Sequence, residues 1–170
     1  MNNKGYTLIE LVIVVVLVCL MVFLSVPRVR EVILQDNLQS AVRRITGIAN
    51  ERRVEAIRGL ADNILVFDIT NGKYWTYSQD MTPEKRDAQK KDAVELPTGV
   101  QIEDIQQPGQ DRKVEGEVTI LFSRLGYVQP TVIHLIEGDR HYTLVLQPFL
   151  SMIEVYERYQ DFNETTLAGA

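Results

Sequence analysis

The chain has 170 residues, room for one domain of ordinary size rather than two. Its 45% hydrophobic and 24% charged content resembles an average soluble protein only because two unlike stretches are averaged: Leu11 to Val26 carries no charge, which argues against a purely soluble cytosolic protein. A formal net charge of −5 argues against a general nucleic-acid binder, a single cysteine (Cys19) excludes an intramolecular disulfide, and ten glycines and six prolines, all scattered, exclude collagen-like or low-complexity architecture.

Met1-Asn2-Asn3-Lys4-Gly5 is a short polar leader with one lysine. Tyr6 to Val26 then gives 21 mostly apolar residues. That is enough to cross a hydrocarbon core of about 30 Å at about 1.5 Å per helical residue. The positive leader keeps the N-terminus in the cytoplasm and sends the remainder across. Ser25-Val26-Pro27 offers no small-x-small site for an ordinary signal peptidase. Glu10 stands apart, because a carboxylate in a spanning helix costs about 2.5–3.5 kcal/mol near the bilayer centre and less toward the interface. It therefore requires a partner that neutralises it.

Lys4-Gly5-Tyr6-Thr7-Leu8-Ile9-Glu10, followed at once by the apolar run, resembles the class III signal of type IV pilins and type II secretion pseudopilins. The resemblance implies cleavage by a membrane-embedded prepilin peptidase between Gly5 and Tyr6, with N-methylation of Tyr6. The family usually has Phe there, and Tyr6 keeps the aromatic ring. It also implies that Glu10 pairs with the N-terminal amine of a neighbouring subunit and so sets the register of a helical filament.

Pro27 follows the apolar run, as in many members of that family, and predicts a helix kink, because it removes one backbone bond and crowds the carbonyl of Phe23. Beyond it, Val29, Ile33, Leu34, Leu38, Ala41, Val42, Ile45, Ile48, Ala49, Ala56, Ile57 and Leu60 recur at helical spacing and predict one apolar face. Gly59 is the expected C-terminal stop. Between Arg28 and Arg58 seven arginines face four acids, a balance of +3, whereas Gly59 to Ala170 holds ten basic and eighteen acidic residues, a balance of −8. A solvated helical face accounts for the arginines; contact with acidic surfaces of adjacent subunits is the functional alternative.

After Gly59 the apolar period shortens to two. Asn63 to Thr70, Asn71-Gly72 and Lys73 to Tyr77 predict a hairpin with a type I′ turn. Met81 to Asp92 reads as an exposed loop with at most one helical turn at Pro83 to Arg86. Val100 to Ile105 is a candidate strand, Gln106 to Gly116 a loop, and Glu117 to Phe122 a strand ended by Gly126. Thr131 to Glu137 and His141 to Gln147 form a second hairpin turning at Gly138-Asp139, and Ile153 to Tyr156 a last short strand. The expected fold class is α+β: a long N-terminal helix, membrane-spanning in its first half and amphipathic in its second, packed on an antiparallel β-sheet head. The expected divisions are a leader (1–5), a transmembrane and assembly helix (6–26), an amphipathic helix (27–60), a β-rich periplasmic head (61–160) and a tail (161–170).

Asn50 to Gly59, ahead of the first strand, and Leu121 to Gly126, ahead of the second hairpin, resemble stretches of the H-type minor pseudopilins and the related FimT-type minor pilins. The DNA-binding FimT-type pilins carry a basic C-terminal segment. Here Phe149 to Ala170 has four acids against one base, Arg158, so nucleic acid is not an expected partner.

The sequence holds no Walker loop, GxGxxG, HExxH, CxxC or GxSxG, and no catalytic residue or cofactor is expected. His134 and His141 flank Asp139 on a predicted hairpin, but two histidines and a turn aspartate fall short of a metal shell and read as ordinary strand histidines. Tyr74, Trp75 and Tyr77 read as core and cross-strand pairs before a ligand-stacking patch. Asp87, Asp92, Glu103, Asp104 and Asp111 lack calcium-loop spacing, so no metal site is expected. The resemblance implies a minor pseudopilin of the type II secretion system, inner-membrane and single-pass with the head periplasmic. Its partners would be the prepilin peptidase, the major and other minor pseudopilins, the inner-membrane assembly platform and, before assembly, membrane lipid. The alternatives are a minor type IV pilin for pilus priming or DNA uptake, and a signal-anchored periplasmic enzyme.

Overall fold

The computed structural model describes residues 8–149 and 153–161, with backbone alone for 23–36. The chain divides into two compact units, Met1–Asp36 and Asn37–Ala170. A single helical assignment, α1 (Leu8–Gly59), contributes to both. Its backbone remains helical through Pro27, whose side chain lies outside the described set, as do those of Val29, Ile33 and Leu34. Among the described residues no helix is long and apolar enough to cross a membrane. The described side chains of the apolar run close at Val22.

In the second unit the amphipathic part of α1 buries Leu38, Ala41, Val42, Ile45, Ala49 and Ala56, and Ile48 packs partly against them. Their spacings of three, four and seven, with the adjacent pair Ala41 and Val42 at its two edges, make a stripe about 100° wide. Two positions expected on that stripe are not buried: Ile57 is 44% exposed and Leu60 73%. Ile57 is rotated about 100° from Ala56, and Leu60 lies past the last helical residue. The stop also differs from expectation. Gly59 is the last helical residue, and Leu60 takes the left-handed conformation, with φ +53°. That costs a residue with a Cβ about 1–2 kcal/mol.

Among the described residues, eight strands form two four-stranded antiparallel sheets rather than one. The first, ordered β3-β2-β1-β5, contains β1 (Asn63–Asp68), β2 (Lys73–Ser78), β3 (Val94–Glu95) and β5 (Glu117–Phe122). The second, ordered β4-β6-β7-β8, contains β4 (Gln101–Gln106), β6 (Thr131–Glu137), β7 (Arg140–Leu146) and β8 (Glu154–Tyr156). Leu65, Phe67, Tyr74, Val118, Ile120 and Phe122 of the first sheet share one core with Ile102, Ile105, Ile133, Leu135, Leu144 and Leu146 of the second and with the α1 stripe. The fold is α+β, an N-terminal helix on antiparallel sheets, as the periodicity predicts.

Two local expectations change and a third is refined. The first hairpin has a four-residue connection, Ile69 to Gly72, because Asp68 pairs with Lys73. Only Gly72 has positive φ, +62°, so the turn is not type I′. The Asp68 carboxylate instead accepts from the Asn71 backbone N–H at 3.1 Å and from its side-chain amide at 2.7 Å, an Asx-type closure. The charged segment after β2 is a nine-residue helix, α2 (Pro83–Lys91), with proline in its first turn and lysines in its last, both favoured there. Finally, Trp75 and Tyr77 face away from the core under α2 cations, with the Lys90 Nζ 5.3 Å from the Trp75 centroid and the Arg86 guanidinium 5.2 Å from that of Tyr77. Tyr74 faces inward, 5.9 Å from Phe67. The aromatics are thus divided between two faces rather than gathered into a stacking patch.

Candidate functional site

Two regions carry chemistry that the packing of the core does not explain. The first is the start of α1. Gly5 and Tyr6, the expected cleavage and methylation positions, lie outside the described residues. Glu10 lies on α1, two residues past the first described position. From Leu8 to Val22 the large apolar side chains are 49–83% exposed within the chain. A helix apolar on every side has nothing to gain from water and is suited to lipid or to other helices.

Among the described side chains, which leave out Arg28 and Arg30, the helix arginines do not form one open basic face. Arg52 pairs with Glu51 at 2.6 Å and Glu55 at 2.5 Å, and Arg53 donates to the Phe149 carbonyl at 3.4 Å. Arg43, Arg44 and Arg58 are exposed. Intrahelical pairs of this kind contribute only about 0.3–0.5 kcal/mol each.

The second region is polar and lies on the outer face of the β4-β6-β7-β8 sheet. Register aligns Asp104, His134, Thr143 and Tyr156 in one row across the four strands. A bulge at Glu103 creates the row: Ile102 pairs with Leu135 and Asp104 with His134, leaving Glu103 as the extra residue. Ile102 and Ile105 therefore stay in the core while Asp104 turns to the opposite face. His134 is fully buried and Asp104 is 3% exposed. His134 Nδ1 lies 2.8 Å from Asp104 Oδ1, and Nε2 lies 3.0 Å from the Gln160 carbonyl oxygen.

The segment after β8 crosses this face. Thr143 Oγ1 donates to the Arg158 carbonyl at 2.7 Å and accepts from the Gln160 N–H at 3.1 Å. The Tyr159 ring stacks on His134, centroids 4.1 Å apart, and its hydroxyl donates to Asp104 Oδ2 at 3.2 Å. Arg112, from the β4–β5 connection, donates to the Tyr159 hydroxyl at 2.5 Å and to Asp161 Oδ1 at 2.7 Å. Burial, followed by the nearby Asp104 charge, pushes the Tyr159 phenol up to about 12. Both effects disfavour phenolate. The sign follows: this phenol contributes stability in full below about pH 10, the ordinary tyrosine value, and loses it as pH rises toward about 12. In an ultraviolet titration of the full chain, Tyr159 is expected to ionise after the exposed tyrosines, and Tyr159→Phe to remove that late step.

The two histidines do not converge on Asp139. His134 belongs to Asp104, while His141 Nδ1 lies 2.9 Å from Glu103 Oε2. Among the described residues no group of three metal-ligating side chains is present. Asp87 and Asp92 lie on and just after α2, apart from Glu103 and Asp104 on β4. Periodicity alone does not reveal the Asp104–His134–Tyr159 cluster. The signal available was the three-residue spacing of Ile102 and Ile105 inside a strand, which demands a bulge if both are to face the core.

The prokaryotic N-terminal methylation motif matches residues 1–26. No curated protein matches the sequence. In fold, the chain is similar to the crystal structure of the minor pseudopilin EpsH from the type II secretion system of Vibrio cholerae. The TM-score is 0.54 at 13% identity, covering 76% of this chain and 99% of that one. A second structure of EpsH gives a TM-score of 0.51 at 12% identity, with 72% and 98% covered. The chain thus carries an N-terminal methylation motif and, in fold, is similar to a minor pseudopilin.

Proposed function

We propose that the chain is a minor pseudopilin, a structural subunit of a type II secretion pseudopilus that helps drive protein export across the outer membrane. The observation that carries this reading is the continuity of the methylation motif at residues 1–26 with a helix whose described apolar side chains are exposed throughout Leu8 to Val22. Such a surface calls for lipid before assembly and for neighbouring helices afterwards. In this reading prepilin peptidase cuts between Gly5 and Tyr6 and Tyr6 is N-methylated. Residues 6–26 anchor the chain in the inner membrane, residues 27–60 continue as an amphipathic helix with a kink at Pro27, and residues 61–160 form a periplasmic head. Glu10 meets the new amine of an adjacent subunit. Partners are the major and other minor pseudopilins and the assembly platform.

Mass spectrometry of the chain recovered from its native membrane is expected to show a methylated N-terminus at Tyr6, and gene deletion is expected to block secretion of exoproteins. A mature protein still beginning at Met1 overturns the reading and favours a signal-anchored enzyme. Deletion that spares secretion but abolishes twitching or transformation assigns the chain to the minor type IV pilins instead. Against that alternative stands the acidic C-terminal stretch, in which Arg158 is the lone base from Phe149 onward.

A further inference from the structure

Buried hydrogen-bonding groups require donors to face acceptors. His134 is fully buried, and both of its ring nitrogens face acceptors: the Asp104 carboxylate at 2.8 Å and the Gln160 carbonyl at 3.0 Å. The carbonyl has no proton to give, so Nε2 must carry one. A neutral imidazole is then left with a bare Nδ1 pointing at an ionised carboxylate. The pair is satisfied only if it holds one further proton, on Nδ1 or on Asp104.

Further polar groups surround the pair. Asp104 Oδ2 accepts from the Tyr159 hydroxyl at 3.2 Å, and Arg112 Nε lies 3.7 Å from Oδ1. Both place a donor or a cation against the carboxylate. Arg112 is also bound to Asp161 at 2.7 Å. His141 and Glu103, 2.9 Å apart, complete the nearby titratable set, and His141 meets the far side of Tyr159 at 6.1 Å between centroids.

We propose that Arg158 to Asp161 form a proton-dependent strap, closed over the outer face of the β4-β6-β7-β8 sheet by the protonated His134–Asp104 pair and released as that proton is lost. Strap closure places Gln160 against His134, the Tyr159 ring over it and Arg158 against Thr143. Loss of the proton leaves two acceptors in contact inside a water-poor site, a cost relieved by opening. The closed form binds one proton more than the open form. Closure therefore weakens with rising pH, by at most about tenfold per pH unit for one proton.

The test is hydrogen–deuterium exchange of the full chain in detergent micelles between about pH 5.5 and about pH 8.5, with labelling times scaled for intrinsic exchange. Protection of the peptide spanning 158–161 is expected to fall with pH by up to about tenfold per unit, while β1 and β5 peptides stay level. In Asp104→Asn the amide donates to a neutral His134 Nδ1, so the strap is expected to remain protected with no pH slope. His134→Gln is likewise expected to lose the slope, whereas His141→Gln is expected to keep it. Protection that is independent of pH in the unmodified chain overturns the proposal. So does an unchanged slope in whichever of Asp104→Asn and His134→Gln folds, or a slope abolished by His141→Gln.

Discussion

Glu10→Ala is expected to yield a chain that inserts, is trimmed after Gly5 and is then absent from filaments. Magnitudes decide which role of the carboxylate governs this outcome. An acid in the first turn of a helix gains at most about 0.3–1 kcal/mol from the helix dipole, too little to exclude a subunit. As the counter-charge of an amine enclosed among apolar helices, its removal leaves that amine unpaired at a cost of about 3–5 kcal/mol. That corresponds to a loss of more than about a hundredfold in association. Quantifying the variant in sheared filaments against the membrane fraction measures the difference. Incorporation within about twofold of the unmodified chain, less than 1 kcal/mol by the same scale, removes Glu10 from the assembly mechanism.

Phe67→Ala is expected to have the largest effect on the head. Phe67 is fully buried in β1, rests 5.9 Å from the Tyr74 ring and belongs to the core that both sheets share with α1. Deleting such a ring costs about 3–5 kcal/mol in transfer and cavity terms, a large part of a typical total of about 5–15 kcal/mol. With the full chain in a mild detergent and Trp75 as the fluorescent reporter, the urea midpoint is expected to drop by about 2 M. Phe149→Ala is the matched control. Phe149 is 76% exposed and touches Tyr127 edge-on at 5.8 Å, so a shift within about 0.5 kcal/mol is expected. Equal shifts from the two substitutions contradict the assignment of the core.

Local rules reached far into this fold because they operate within a few residues. Steps of three and four placed Leu38 to Ala56 on a buried helical face, and alternation located β1, β5, β6 and β7 to within a few residues. Gly138-Asp139 forms the two-residue turn between β6 and β7, with positive φ at Gly138 alone. The same rules failed where two local preferences competed. Asn71-Gly72 signals a tight turn, yet the Asp68 carboxylate captures Asn71 and lengthens the connection. Pro83 to Lys91 has almost no apolar content and reads as loop, yet proline at its start, lysines at its end and cation–aromatic contacts with Trp75 and Tyr77 sustain a helix.

By itself the sequence determined the greasy and amphipathic halves of the long helix, the α+β class and the N-terminal motif, because each is written in the spacing of neighbouring residues. Only the tertiary structure decided that the strands divide into two sheets, since β5 joins β1 and β4 joins β6 across long stretches of chain and alternation does not name a strand's partner. It also decided that one extra residue at Glu103 turns Asp104 toward His134, and that the segment after β8 folds back to cover them both. Those contacts form between residues 26 to 55 positions apart, and their energy comes from burial, which no local pattern records.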